Sequence, residues 1–346
     1  MASQQHRMFL DDEASGISPL RSLDPVPSIP PVRVLCLGAT GQSGSTLLSR
    51  MLGRLPGFVV VGEVGRIWDK GLIEDVACGC GTPFRSCRFW TRVGQEAFGG
   101  WGEIDVFEAT RLRDAITLKT HRLPHAAALP FILHPGAWPS FREDLMAYGA
   151  LLGRVYRALD RVTEGRIIVD SMKLPGHVYL ASTLPGLDIR VAHLTRDPRG
   201  YAYSNTKWIP RQGAVDGAYR ARRSPGKSAV KWSWCNVAFE ALARGGTPTV
   251  DVRYEDLVNE PGPTLRRVAE VAGVTLSADD LWFVGDGEIE LVTQHIAAGS
   301  RGRMATGPTP LIADDEWRRS FPAQDRRIVE ALTWPVRRRY GYCSSR

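Results

Sequence analysis

The chain has 346 residues, 43% of them hydrophobic, with a net charge of +7 and a mean hydropathy of −0.17. That length and apolar content suffice for one large α/β domain or two small ones, and no apolar run is long enough for a transmembrane helix. The basic excess is spread out, apart from "RRRY" near the end, and lacks interleaved aromatics, so it argues against nucleic acid and fits either a solvated basic surface or attraction to an anionic ligand.

The opening "MASQQHRMFLDDEASGISPL" lacks the basic-then-apolar order of a signal peptide, and the chain is read as cytoplasmic. Residues 1–31 are polar and end in "DPVPSIPP", whose prolines disfavour helix and sheet, so a loose leader is expected. Residues 32–346 read as one domain. Five short apolar runs predict strands: "VRVLCLGA", "FVVVGE", "RIIVDSMK", "DIRVAHLTR" and "TPTVDVRYEDL". Their continuous Val, Ile and Leu suit strands covered on both faces. Between and after them, "GSTLLSRMLGRL", "EDLMAYGALLGRVYRALDRV", "PRGYAYSNTKW", "AVKWSWCNVAFEALAR" and "GPTLRRVAEVAG" read as helices. This alternation predicts an α/β fold, a central parallel sheet flanked by helices on both faces. Ligands then sit at the carboxyl ends of the strands. Segment 64–150, aromatic and loop-rich, is expected to bind the acceptor molecule.

The first strand runs into "GATGQSGSTLLSRML". Gly38, Gly41 and Gly44 allow a tight turn, and Ser43, Ser45 and Thr46 place hydroxyls where a helix begins, an arrangement suited to phosphate. The nucleoside-triphosphate version of such a loop needs a Lys, but alignment puts Ser45 there and Ala39 at the first Gly. At the fourth strand's end, in "HLTRDPRGYAYS", Asp197–Pro198 makes an N-cap and first-turn pair. Arg196 at the strand exit and Ser204 in the following helix offer a guanidinium fork and a hydroxyl to a phosphate dianion.

Together, a phosphate loop without its Lys and a strand-end R-D-P-R-x-x-x-x-S resemble the sulfotransferase family, which uses 3′-phosphoadenosine-5′-phosphosulfate. The stretch "VVVGEVGRIW" is similar to the Gly-Glu stretch of tyrosylprotein-type and bacterial members, and "IIVDSMKLP" to their Asp-Ser-x-Lys segment. The tail "SRGRMATGPTPLIADDEWRRSF" with "LTWPVRRRYGY" is similar to the end of bacterial small-molecule members. The resemblance covers most of residues 32–343 and implies a P-loop-type sulfotransferase domain that sulfonates a hydroxyl of a small molecule. No metal is expected to be required, because a sulfonate bears only one charge that Arg, Lys and backbone amides can match; no nucleic acid or membrane partner is expected, and the oligomeric state is open, homodimer included. The resemblance implies that Gln42, Ser43, Gly44, Ser45 and Thr46 hold the 5′-phosphosulfate, that Arg196 and Ser204 hold the 3′-phosphate, and that Arg301 or Arg303 closes over it. Gln42 departs from the family, which usually carries Lys or Arg there; a neutral donor is the weaker one.

By the same resemblance Lys173 is the candidate cation at the bridging oxygen and Glu63 the candidate base, with Arg66 orienting the acceptor. His121 and His125 in "LKTHRLPHAAALP" are rival bases, better poised at neutral pH. Two other readings stay open: an ATP-dependent small-molecule kinase, for which Asp170 would hold magnesium, and a non-catalytic nucleotide binder, favoured by Gln42. Trp232 and Trp234 do not share a helix face and read as core or interface. Six cysteines are too few for a disulfide scaffold. Cys78, Cys80 and Cys87 lie close together, and the expectation is free thiols or one local bridge, with zinc as the alternative.

Overall fold

A computed structural model describes residues 30–118, 139–208 and 221–343. The expected leader, apart from the exposed Pro30 and Pro31, therefore lies outside the described residues, as do His121 and His125. Five strands form one parallel sheet: β1 (Val32–Ala39), β2 (Phe58–Gly62), β3 (Ile167–Asp170), β4 (Leu187–Thr195) and β5 (Thr249–Arg253), in the order β2-β3-β1-β4-β5. Each of the five apolar runs supplies one of them.

The strands are apolar throughout because both faces are covered. Along β1 successive side chains alternate between two cores. Val34 and Cys36 pack on one side with Trp68, Tyr148, Leu152 and Phe239. Leu35 and Leu37 pack on the other with Leu48, Val252, Leu265 and Val268. The second core is covered by α1 (Ser45–Leu52) and by a helix over Pro261–Val271. The first is covered by α2 (Arg88–Phe98), α3 (Val106–Arg113), α4 (Pro139–Val162), α5 (Pro175–Thr183) and part of a long helix, Pro225–Arg244. Between α5 and that long helix, β4 leads into α6 (Pro198–Thr206); the long helix is then α7, and α8 (Tyr254–Asn259) and α9 (Pro261–Val271) follow β5.

Residues 64–118 are less loop-rich than expected. A π-helical turn at Ile67–Ile73 precedes α2 and α3, and the aromatics form a packed cluster of their own. Phe84 stacks on Trp90 at 4.9 Å, and Trp68 meets Trp101 edge-on at 6.4 Å. Trp68, Phe84 and Trp90 are fully buried, so these rings hold the segment together rather than face a ligand. After α9 the chain forms an antiparallel hairpin, β6 (Glu288–Leu291) with β7 (Gly307–Pro310), and ends in α10 (Trp317–Ser320) and α11 (Ala323–Arg337). None of the described helices is long and apolar enough to cross a membrane.

Candidate active site

β1 and β4 are neighbours at the point where the chain switches sides of the sheet, and their carboxyl ends open on a cleft of about 560 Å³. Ala39, Gly41, Gln42, Gly44, Ser45 and Thr46 line it from the loop after β1. Glu63 and Arg66 enter from the end of β2, Met172 and Lys173 from the end of β3, and Arg196 from the end of β4.

The loop turns as its glycines require. Gly44 has φ +86°, and a Cβ there would lie 2.5 Å from the Tyr254 ring, so both backbone and space demand glycine. Gln42 takes the left-handed region at φ 70° without being glycine, a strain that collects at functional loops. Helix α1 starts at Ser45 with no side-chain cap, and the first-turn N–H groups of a helix have no intrahelical partner. Ser43 does not join the cleft. Its buried Oγ lies 2.7 Å from Thr40 Oγ1, so its hydroxyl stiffens the turn from behind.

Glu63 and Lys173 face each other. Lys173 Nζ donates to Glu63 Oε1 at 2.5 Å, with both side chains about four-fifths buried. Asp170 sets the spacing of the two segments. Its Oδ1 accepts from the backbone N–H of Val64 at 3.2 Å and of Met172 at 2.7 Å. Its Oδ2 accepts from Tyr156 Oη at 2.6 Å and lies 2.9 Å from His177 Nε2. Burial pushes this carboxyl up, but His177, Tyr156 and the Met172 amide outweigh it and hold it below the usual range. With no exposure and both oxygens engaged, Asp170 has no lone pair to offer a metal in the cleft, as the kinase reading required. Lys173 pairs with Glu63 and not with Asp170.

Gly62 completes this corner. Its φ is +84°, and a Cβ would sit 2.6 Å from Ile296 Cγ2 and 2.8 Å from the Ala298 carbonyl. Arg66 forms a two-point ion pair with Asp69, Nε at 3.0 Å and Nη2 at 2.8 Å. Burial pushes the Asp69 carboxyl up, but Arg66 and Arg113 hold it low.

Arg196 is nine-tenths or more buried, and its fork spans two segments. Nη1 donates to the Gln42 carbonyl at 3.0 Å, Nη2 donates to the Asp314 carbonyl at 2.9 Å, and Nη2 also pairs with the Asp314 carboxylate at 2.8 Å. The guanidinium stacks over Tyr254 at 4.9 Å. Asp197 caps α6 through Arg199 N and binds the Arg199 guanidinium, leaving Arg196 to the cleft side. Ser204 is buried two turns into α6, in contact with other groups, and is not among the cleft-lining residues.

The tail arginines divide. Arg301 opens a short 3₁₀ turn, Arg301–Met304. Arg303 is buried, with Nη1 on the Gly299 carbonyl at 3.3 Å and Nη2 on the Ala77 carbonyl at 3.0 Å, so the structure gives it a structural position where the sequence suggested a phosphate contact. Gly299 and Ser300, just before it, do line the cleft, and Ser300 Oγ donates to Thr46 Oγ1 at 2.9 Å. Buried Arg50 ties α1 to the same region through the carbonyls of Val292, Arg303 and Ala305.

Tyr254 and Lys231 are among the cleft residues that carry no signal in the sequence. Tyr254 follows β5 and carries Arg196 on its ring. Lys231 reaches the cleft from α7, and burial together with the Arg223 charge pushes its ammonium down to about 8. Its neighbour Trp232 is fully buried and donates from Nε1 to the Arg196 carbonyl at 2.9 Å, which places one tryptophan beneath the site.

Residues 34–278 match a family model described as the sulfotransferase family. The chain belongs to that family. A mouse relative, carbohydrate sulfotransferase 2, is 22% identical over 239 residues, which is 58% of this chain and 41% of that protein, so the sulfotransferase chain spans less than half of its curated relative. Among solved structures it is similar to the sulfotransferase domain of the Synechococcus PCC 7002 olefin synthase, at 19% identity and a TM-score of 0.44, covering 88% of this chain and 94% of that one. It is also similar to the sulfotransferase domain of the curacin biosynthetic pathway, at 16% identity and a TM-score of 0.45, covering 88% and 98%.

Proposed function

We propose that this sulfotransferase moves a sulfonate group from 3′-phosphoadenosine-5′-phosphosulfate to a hydroxyl of a small-molecule acceptor. The observation that carries the reading is that one cleft takes its walls from the α1 N-terminus, the Glu63–Lys173 pair and Arg196 together. The set suits a long, multiply charged anion: helix amides with Ser45 and Thr46 at one point, and the cations Lys173, Arg196 and Lys231 around it.

When bound, the donor supplies a sulfonate whose bond to a phosphate oxygen breaks as a bond to the acceptor hydroxyl forms. The chain's part is position and charge. Ser45, Thr46 and the first-turn amides hold the 5′ end, and Arg196 holds the 3′-phosphate. Lys173 stabilises charge at the bridging oxygen in place of the cation that Gln42 lacks. An anion at Lys173 competes with Glu63 for its ammonium, and the released carboxylate takes the acceptor's proton. Arg66, oriented by Asp69, stands beside Glu63 to align the acceptor.

The test is calorimetric binding of adenosine 3′,5′-bisphosphate and of ADP, with turnover of a labelled sulfate donor. The bisphosphate is expected to bind more tightly than ADP, with Arg196→Ala erasing the preference at a cost of about 1.5–3 kcal/mol. Glu63→Gln is expected to keep the affinity and lose turnover. Equal binding of ADP refutes the donor assignment, binding without turnover makes the protein a nucleotide binder, and turnover surviving in Glu63→Gln moves the base elsewhere.

A further inference from the structure

Away from the reacting groups, the loop after the π-helical turn gathers three sulfurs around one imidazole. Cys80 Sγ lies 3.7 Å from Cys87 Sγ, and His295 Nδ1 lies 3.4 Å from Cys87 Sγ and 3.9 Å from Cys78 Sγ. All four ligand atoms fall within 4.8 Å of one another. A tetrahedral zinc ion with Zn–S of about 2.3 Å and Zn–N of about 2.0–2.1 Å demands S···S edges near 3.8 Å and S···N edges near 3.6 Å. Those three observed edges lie within about 0.3 Å of the tetrahedral values. We propose that Cys78, Cys80, Cys87 and His295 bind one zinc ion in a closed tetrahedral site.

The surroundings are built for it. Cys78 and Cys87 are buried, and Cys80 is half-buried. His295 is held by Phe89, whose ring stacks on it at 5.0 Å and 7°, fixing the direction in which Nδ1 points. The turn is tight: Cys78 N donates to the Thr82 carbonyl at 2.8 Å and Gly81 N to the Cys78 carbonyl at 2.8 Å. Gly79 packs so closely on the histidine segment that a Cβ would lie 2.4 Å from the Gln294 carbonyl, and its N–H donates to the Ile296 carbonyl at 3.0 Å. Three thiolates and an imidazole suit zinc over the oxygen-seeking magnesium or calcium. Binding releases the thiol protons to solvent and leaves no open coordination position, so the ion is structural.

Its position gives it a task. From His295 the chain runs along β2, with Ala297 N donating to the Val61 carbonyl at 3.0 Å, and reaches Gly299 and Ser300 at the cleft. The ion would clamp the loop of residues 77–87 to the strap that meets the phosphate loop through Ser300 and Thr46. Sequence alone could not supply the fourth ligand, which lies 208 residues beyond Cys87.

Metal content decides the proposal without reference to turnover. The full chain, expressed without a histidine tag in zinc-supplemented medium and dialysed against a weak chelator, should carry one zinc per chain by mass spectrometry of the elements. His295→Ala should lose it, and His295→Cys should retain it. Cobalt substituted into the native chain should show thiolate charge-transfer bands and the visible absorption of a tetrahedral site, a readout that stands even where a variant fails to fold. Substoichiometric zinc in the native chain, octahedral cobalt spectra, or a Cys80–Cys87 disulfide under non-reducing conditions would overturn it.

Discussion

Raising the pH from 7 to 9 should weaken the binding of adenosine 3′,5′-bisphosphate through a single half-buried lysine. Burial in the cleft pushes Lys231 down to about 8 from its ordinary 10.5. A phosphate dianion beside it favours the charged form, so the ligand draws a proton onto the lysine. With the ligand restoring the ordinary value in full, the lysine stays protonated in the complex at pH 9 but is only about one-tenth protonated in the free protein. Affinity then falls about tenfold between pH 7 and 9, an upper limit of about 1.4 kcal/mol. The phosphate itself is already dianionic over this range, its second pKa lying near 6. Titration calorimetry in buffers of different ionisation enthalpy should record proton uptake that grows above pH 8. Lys231→Met should bind more weakly at pH 7 and lose the slope. In the unliganded protein the sign is opposite for stability: the unfolded lysine keeps its proton up to 10.5, so this residue's contribution rises with pH between 8 and 10.5. Equal affinity at pH 7 and 9 in the native chain, or an unchanged slope in Lys231→Met, would refute the coupling.

Gln42→Lys restores a cation next to the helix start and is expected to raise the turnover of labelled donor; an unchanged or lower rate would show that Lys173 already supplies the charge. Gly62→Ala puts a methyl against Ile296 and the Ala298 carbonyl at a positive φ, and denaturant unfolding should show a loss of about 2–4 kcal/mol; a loss under about 1 kcal/mol would mean that the strap yields. Asp170→Asn removes the charge facing His177 and alters the anchor of Val64 and Met172; turnover should drop more than bisphosphate affinity, because the Glu63–Lys173 spacing serves chemistry more than nucleotide binding.

The sheet was legible because a parallel strand covered on both faces must be apolar without interruption, and the five Val-, Ile- and Leu-rich runs meet that condition. Glu63, Lys173 and Arg196 close three of those runs, and strand ends face the cleft, which all three line; the roles expected of them came from the family resemblance. What depended on distant partners was not legible. Ser43 and Thr46 look alike in sequence, yet one hydroxyl turns toward Thr40 and the other toward the cleft. Arg303 reads as a free loop arginine until the Ala77 carbonyl meets it across more than two hundred residues. Lys231 sits inside a helix between apolar neighbours with no punctuation to mark it. The α2 region carries Trp90, Val93, Ala97 and Phe98 at helical spacing, but the partner rings Phe84 and Trp101 lie outside the helix, and the cluster closes only when they meet Trp90.

The single carboxylate of Asp170 acts as a ruler. Because it grips the backbone of the β2 and β3 exits at once, the gap between Glu63 and Lys173 is set by a residue buried away from the cleft. The rest of the cleft wall can then change in sequence while the Glu63–Lys173 pair keeps its gauge.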